Sequence, residues 1–423
     1  MLPRLRILQI GDIHFPSSTE VKGILDDKDP AFPSGLKNIL TSSPLKNVFK
    51  RIYQILASEP VDAVLFMGDF TDYGKLPGFE ACCKYISSAL QLGKSKAFET
   101  MPTGIVPGNH DIDRSLAGNA STAKFMTLSK ALAAHGLPNI PVNSPTQIDL
   151  QQAGLGSSVY LLNSCWGCGE KLYIPTEFGD AINAAIDAVI GGPGGERALS
   201  AYYNRQLDTP AFSDNTIASV VEAVSKCPAD DMPIIVAHHN LLPQRLPRLA
   251  PYTELVNSGA LRSSLMELDR PVLYLHGHIH EEPVETLHAP GNAPLVIVSA
   301  PLITKGFNVI EIVFAPGSVP IVCNVLPYRF DGSGILRKFA QMKVPLTGKR
   351  RRGTFPIKNA LYSKLIEKRT SYWSEISAFF PDTLQRPSDD ELVQLLELLL
   401  AEGLVEIDNY ELPYRAWIAR AEV

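Results

Sequence analysis

Six of the nine histidines in this 423-residue chain fall in five short segments, each closing an apolar run. The segments are Gly11-Asp12-Ile13-His14, Gly68-Asp69, Gly108-Asn109-His110-Asp111, His238-His239 and Gly277-His278-Ile279-His280. They supply carboxylate, amide and imidazole without thiolate, a donor set suited to catalytic divalent cations rather than to structural zinc. Hydrolysing a phosphate ester requires extra negative charge on oxygen to be stabilised and hydroxide to be available at neutral pH. Two divalent cations a few ångströms apart meet both needs, given one carboxylate that bridges them and separate ligands on each side. Asp69 has the character of the bridge. Asp12, His14 and His280 suit one cation, and Asn109, His238 and His278 suit the other, with His239 an alternative to His238. Such ligands take Mn, Fe, Zn or Co, with Mn the first expectation.

Spacing supports this grouping. Asp12 and His14 are two residues apart, as are His278 and His280, so in extended chain each pair points the same way. Gly11, Gly68, Gly108 and Gly277 each precede a ligand, where a strand must stop sharply and backbone must approach closely. A single Gly-Asp is ordinary turn chemistry, and a single strand-end His is more often structural than a ligand. Five such segments in succession are hard to obtain from turns. His110 is left over beside the cations, placed to protonate a departing alkoxide as general acid. Asp111 is placed to orient that ring, and Arg114 to neutralise a phosphate oxygen. The expected chemistry is attack by metal-bound hydroxide on phosphorus.

The elements that must position these residues follow from apolar patterning. Residues 5–10, 61–67, 103–106, 158–163, 233–237, 271–275, 294–299, 307–313 and 319–325 read as strands. Residues 44–58, 78–92, 121–135, 180–190 and 214–226 read as helices. Strand–helix alternation with near-continuous apolar strands indicates an α/β protein whose sheets are buried on both faces. All five segments lie at the C-terminal ends of strands, where open α/β sheets bind ligands. Residues 165–212 break the rhythm and read as an insertion over the site.

The remaining chain divides by charge. Residues 329–369 hold twelve Lys/Arg against two acids, a balance of +10; residues 370–423 hold three Arg against eleven acids, a balance of −8. That reversal suggests a main domain over 1–330, a basic linker at 331–355 and a separate C-terminal module at 356–423. The module reads as helices at 357–368, 371–379 and 388–402, then strands at 404–407 and 412–418, an order resembling a winged helix. Ser388 with Glu391 forms a capping box at the start of the third helix. The six cysteines, including Cys165 and Cys168, read as buried structural thiols. Net charge is −5, so no global attraction to nucleic acid or membrane follows. There is no apolar run of spanning length and no signal-peptide pattern, so a cytoplasmic location is expected.

Taken in order, the five segments resemble the calcineurin-like metallophosphoesterase superfamily: Asp-x-His, Gly-Asp, Gly-Asn-His-Asp, a strand-end His, and Gly-His-x-His. The resemblance covers roughly residues 5–326. It implies a four-layer αββα sandwich with a dimetal site at one edge, and it places the strand-end ligand on His238. Asp72 stands where purple acid phosphatases carry a tyrosine, and Asp111 departs from the Gly-Asn-His-Glu of protein phosphatases. Pro107-Gly108-Asn109-His110-Asp111 together with His238-His239 looks closest to bacterial phosphodiesterases of the cyclic-nucleotide type, so the resemblance implies a phosphodiester substrate: a cyclic nucleotide, a small diester or nucleic acid. A nuclease is one alternative, with residues 331–423 binding nucleic acid through the basic stretch. An interaction protein whose C-terminal module recruits a protein partner is another.

Overall fold

The computed structural model describes residues 3–15, 44–71, 76–113, 116–117, 122–152, 155–169, 180–181, 184–185, 188, 191–194, 209–228, 231–243, 255–268, 270–280, 283–288, 293–315, 319–346, 356–380, 386–402, 404–410 and 412–421. Two mixed sheets dominate. The first carries strands β1 (Arg4–Ile10), β2 (Ala63–Phe66), β3 (Thr103–Ile105), β10 (Gly306–Ala315), β11 (Val319–Phe330), β12 (Leu336–Lys338) and β13 (Met342–Pro345). Its order is β12-β11-β10-β1-β2-β3, with β13 also pairing along β11. The second carries β4 (Thr146–Gln152), β5 (Leu155–Leu161), β6 (Met232–Val236), β7 (Val272–His276), β8 (Val284–Leu287) and β9 (Leu295–Ser299), in the order β4-β5-β6-β7-β9-β8.

Alternation along β1 shows how the layers stack. Leu5 and Ile7 enter a core between the sheets, with Leu65, Val236, Leu275 and Val298. Leu8 and Ile10 point to the other face, against the helices Pro44–Ser58 (α1), Leu76–Leu90 (α2) and Met126–Ala134 (α3). The outer face of the second sheet is covered by Asp214–Lys226 (α4) and Ser258–Glu267 (α5) through Val220, Val224, Leu261 and Leu265. Strands buried on both sides are largely apolar, which is why β2 and β6 read as uninterrupted runs, whereas β1 carries Arg4, Arg6 and Gln9.

Several sequence expectations shift, among them the strand expected at 412–418, where a 3₁₀ turn at Tyr414–Ala416 precedes a strand at Ile418–Ala421. Residues 371–379 were expected as one helix; instead Thr370–Tyr372 is a strand (β14) and the helix is confined to Trp373–Ile376 (α7). Arg369 adopts a left-handed φ of 67°, and the Glu375 carboxylate accepts the Tyr372 N–H at 2.9 Å. These features stop one element and cap the next. Thr146–Gln152, Val284–Leu287 and Ser258–Glu267 add elements that the apolar pattern does not signal. The stretch 331–355, expected as linker, contains β12 and β13. The helix expected near 180–190 and most of the insertion at 165–212 lie largely outside the described residues.

After Pro356–Lys368 (α6) and Asp389–Ala401 (α8), strands Val405–Asp408 (β15) and Ile418–Ala421 (β16) join β14 in an antiparallel sheet ordered β14-β16-β15. This module is docked on the main body. Leu392, Leu396 and Leu399 of α8 share one core with Val313 of β10 and with Ile321 and Val322 of β11. Several cations of the basic stretch are committed to structure. Arg329 donates to the carbonyl oxygens of Phe307 and Tyr328, Arg337 pairs with Asp331, and the buried Lys358 pairs with Glu402. The Lys343 ammonium lies 3.0 Å from the Tyr410 ring centroid. No helix among the described residues is long and apolar enough to cross a membrane.

Candidate metal centre

β1, β2 and β3 run parallel, as do β6 and β7. Their C-terminal ends therefore arrive on the same side of each sheet and deliver all five segments to one place. Backbone bonds tie the arriving loops together. The N–H groups of Ile13 and His14 both donate to the Asp69 carbonyl at 2.9 Å, and the Gly277 N–H donates to the His238 carbonyl at 3.0 Å.

The strand-end turns are tight. His14, Asp69, His278 and His280 have φ of 43°, 51°, 67° and 54°. Each such left-handed residue costs on the order of 1–3 kcal/mol, a strain that clusters at functional sites. Gly108 and Gly277 are needed for close approach: an added Cβ would lie 2.1 Å from Asp69 Oδ1 and 2.3 Å from Asp12 Oδ1, respectively.

Donor atoms form two groups that meet at Asp69. In the first, His280 Nε2 lies 2.8 Å from Asp12 Oδ2, and His14 Nε2 lies 3.3 Å from His280 Nε2 and 3.7 Å from Asp69 Oδ2. In the second, Asn109 Oδ1 lies 3.0 Å from His238 Nε2 and 3.1 Å from His278 Nδ1, and His238 Nε2 lies 3.3 Å from Asp69 Oδ2. Neighbouring ligands at right angles around a cation about 2.1 Å away sit about 3 Å apart. Both groups match that spacing, and both consist of the N and O donors that catalytic divalent ions take. The residues present fit two cations.

Electrostatics agree. Asp12 and Asp69 are almost fully buried. Burial opposes charge on both Asp69 and His238, yet their attraction holds the Asp69 carboxyl well below its usual range and raises the imidazole to about 10. A field strong enough to keep a proton there favours a divalent cation in the same place. Burial, with repulsion from His238, pushes His278 down to about 3, which leaves it neutral with a lone pair to give.

His110 lies beside the first group. Its ring stands edge-on to His14 with centroids 5.1 Å apart, and its backbone N–H donates to Asp69 Oδ1 at 2.9 Å. Asp111 serves differently from its expected ring-orienting part. Its Oδ1 accepts the Phe70 N–H at 2.8 Å and its Oδ2 accepts the Gly108 N–H at 2.9 Å. It thereby clasps the Asp69 loop to the Asn109 loop. Burial and the nearby Asp69 push its carboxyl up to about 7. Arg114 lies outside the described residues.

His239, left open against His238, takes a different place. Its Nδ1 lies 2.8 Å from Ser164 Oγ, and its ring packs on His278 with centroids 4.4 Å apart. Sequence reasoning missed Ser164 because nothing in its neighbourhood has ligand spacing. Cys165 is a buried free thiol whose Sγ donates to the Pro107 carbonyl at 3.2 Å, and Cys168 is likewise buried and free. His276 ends β7, is buried, and places Nδ1 3.0 Å from the Gly277 carbonyl oxygen.

The profile of the calcineurin-like phosphoesterase family matches residues 5–282. No curated protein matches. Solved structures resemble the chain in outline. A dimetal phosphatase from Danio rerio is 11% identical over 81% of this chain and 99% of its own, with a TM-score of 0.45. PhoD is 11% identical over 82% and 70%, with a TM-score of 0.49. An NAD nucleotidase from Haemophilus influenzae is 12% identical over 96% and 61%, with a TM-score of 0.41. The family profile spans every candidate ligand segment from Asp12 to His280, and the chain belongs to the calcineurin-like phosphoesterase family, a family of metal-dependent phosphoesterases in which a dimetal centre is typical.

Proposed function

We propose that this phosphoesterase hydrolyses phosphodiesters, with Asp12, His14, Asp69 and His280 holding one divalent cation and Asp69, Asn109, His238 and His278 the other. The observation that carries the reading is the pair of donor groups, each with ligand-like spacing, that meet at the Asp69 carboxylate. Bound cations, taken as Mn²⁺, would neutralise phosphoryl oxygens and make hydroxide available near neutral pH.

The chain's own residues do the rest. Asp69 aligns both halves of the centre while its Oδ1 holds the His110 backbone. His110 carries a proton toward the leaving oxygen from the rim of the first group. Asp111 keeps the two loops in register by taking the N–H groups of Phe70 and Gly108. Arg114 remains the candidate for a phosphate oxygen.

The diester reading is supported by the resemblance of Pro107-Gly108-Asn109-His110-Asp111 and His238-His239 to bacterial phosphodiesterases of the cyclic-nucleotide type. Among the described residues of the basic stretch, Arg329, Arg337, Lys343 and Lys358 are engaged within the fold, so these four do not argue for nucleic acid as substrate. A cytoplasmic location and a protein partner for the C-terminal module stay part of this proposal.

The test is hydrolysis by the Mn²⁺-loaded enzyme of bis-p-nitrophenyl phosphate, p-nitrophenyl phosphate, cyclic AMP and DNA, with Asp69→Ala as control. Faster turnover of the diester or the cyclic nucleotide supports the proposal. Preference for the monoester overturns it, and DNA cleavage absent from the control would make the protein a nuclease.

A further inference from the structure

The candidate centre is assembled from both sheets. Asp12 and His14 follow β1, and Asp69 and Asn109 follow β2 and β3, all in the first sheet; His238, His278 and His280 follow β6 and β7 of the second. Each donor group therefore spans the gap between sheets. His280 Nε2 meets Asp12 Oδ2 at 2.8 Å in one, and His238 Nε2 meets Asn109 Oδ1 at 3.0 Å in the other. Sliding one sheet over the other would alter both groups at once. Between the sheets lie chiefly apolar side chains such as Leu5, Ile7, Val236 and Leu275, whose attraction has no direction.

Gln9 breaks that pattern. It follows Leu5 and Ile7 on the same face of β1 and is fully buried. Its Nε2 donates to the Val298 carbonyl at 3.0 Å and to the His276 carbonyl at 3.4 Å, both in the backbone of the second sheet. Its register partner on β10 is Asn308. Asn308 Nδ2 donates to Gln9 Oε1 at 2.9 Å and to the Ser299 carbonyl at 3.0 Å, while its Oδ1 accepts from Arg329 at 2.6 Å. All four amide heteroatoms are used. Strand carbonyls only accept, so both amide nitrogens must face the second sheet. A buried polar network with every member satisfied specifies one arrangement of a core. This one crosses where the ligand loops begin: Gln9 lies three residues ahead of Asp12, and His276 ends β7 two residues ahead of His278.

We infer that Gln9, backed by Asn308 and Arg329, is a positioning residue whose amide fixes the end of β1 against the ends of β7 and β9, and so sets the separation of the Asp12–His14 and His278–His280 loops. The inference rests on the two-cation reading above. The bonds Gln9 makes to the second sheet run to backbone carbonyls, so its influence reaches the donor atoms through the strands that carry them. Small displacements matter there, because a misplacement of about 1 Å caused far from the chemistry can cost about 10²-fold in rate.

The test is Mn²⁺ binding by isothermal titration to the full chain, with the magnetic coupling between the bound ions read by electron paramagnetic resonance. Wild type takes up two coupled Mn²⁺. Gln9→Met keeps the length of the side chain without its bonds. It binds Mn²⁺ about tenfold more weakly, the lower end of the loss seen when outer supports of a metal site are removed, and its coupling departs from that of wild type. Leu5→Ala loosens the same inter-sheet core at the far end of β1; it lowers the urea midpoint and keeps wild-type affinity and coupling. Wild-type affinity and coupling in Gln9→Met overturn the inference. So does an equal change in Leu5→Ala, which would reduce Gln9 to general packing. Asn308→Leu cuts the network one bond farther from the loops and decides the matter if Gln9→Met does not fold: weaker Mn²⁺ binding supports the inference and unchanged binding overturns it. Fewer than two Mn²⁺ bound by wild type would overturn the two-cation reading and this inference with it.

Discussion

His14 and His280 point their Nε2 atoms at each other across 3.3 Å, with Asp12 Oδ2 2.8 Å from the second of them. Two imidazole nitrogens at that separation call for a proton or a cation between them. The buried Asp12 and Asp69 carboxylates create the same demand from the other side. Cations that bind the folded chain and not the unfolded one therefore stabilise it by mass action, by about 2.7 kcal/mol at one hundred times the dissociation constant. Thermal unfolding should shift upward on adding Mn²⁺ and downward with a chelator. Asp69→Ala should abolish both the response and the activity; a variant that still binds two ions would remove Asp69 from the bridge.

His110 is tied to the centre by its backbone while its ring stands at the rim against His14. A general acid matters in proportion to how poorly the leaving group departs without a proton. His110→Ala should therefore lose about 10²- to 10⁴-fold on a substrate with an alkoxide leaving group. It should lose far less on bis-p-nitrophenyl phosphate, whose phenolate leaves unaided, and should retain both metals. Equal losses on the two substrates would sink the acid role.

Gly108 lies against the Asp69 carboxylate. A Cβ there would come within 2.3 Å of the Asp69 backbone nitrogen as well as 2.1 Å of Oδ1. Neither neighbour can yield, because the loop is clasped by Asp111 and the Asp69 carbonyl is bonded by Ile13 and His14. Gly108→Ala should cost several kcal/mol by overpacking, beyond the roughly 1–3 kcal/mol usual for added methyls. Mn²⁺ affinity should fall with it, whereas Gly332→Ala, with open space around it, should match wild type in both measurements.

The ligand set was legible because its chemistry demands particular residue types at strand ends, and strands buried on both faces announce themselves as apolar runs. β1 and α1 agree with their sequence expectations to within a residue. What supports the ligands was not legible. Asp111 looks like a companion of His110 in sequence, yet its carboxylate spans two loops to the N–H groups of Phe70 and Gly108. Ser164 meets His239 across 75 positions of chain. Edge strands such as β8 and β12 lack a continuous apolar signal because one side faces outward. The charge reversal near residue 350 suggested a separable module, but charge describes surface. The apolar core that Leu396 shares with Val313 and Val322, which docks the module, is carried by residues that read equally well as private core.

That docking has a pH signature. Glu397 on α8 is almost fully buried between the module and the main sheet, where the Tyr410 hydroxyl donates to its carboxylate and Arg4 of β1 lies 3.9 Å away. Lys343 also faces the pair, over the Tyr410 ring. Burial raises the Glu397 carboxyl above its ordinary range, against the pull of Tyr410, Arg4 and Lys343. A carboxyl whose folded value is raised binds more protons folded than unfolded between its ordinary value and the raised one. Stability therefore falls as pH rises through that window, and the penalty is fully present above it. Glu397→Gln keeps an acceptor for Tyr410 and carries no charge to bury. Urea unfolding should show this variant losing the wild-type decline across that window and gaining stability relative to wild type as pH approaches neutrality. A wild-type decline that persists unchanged in Glu397→Gln would mean that another group sets it.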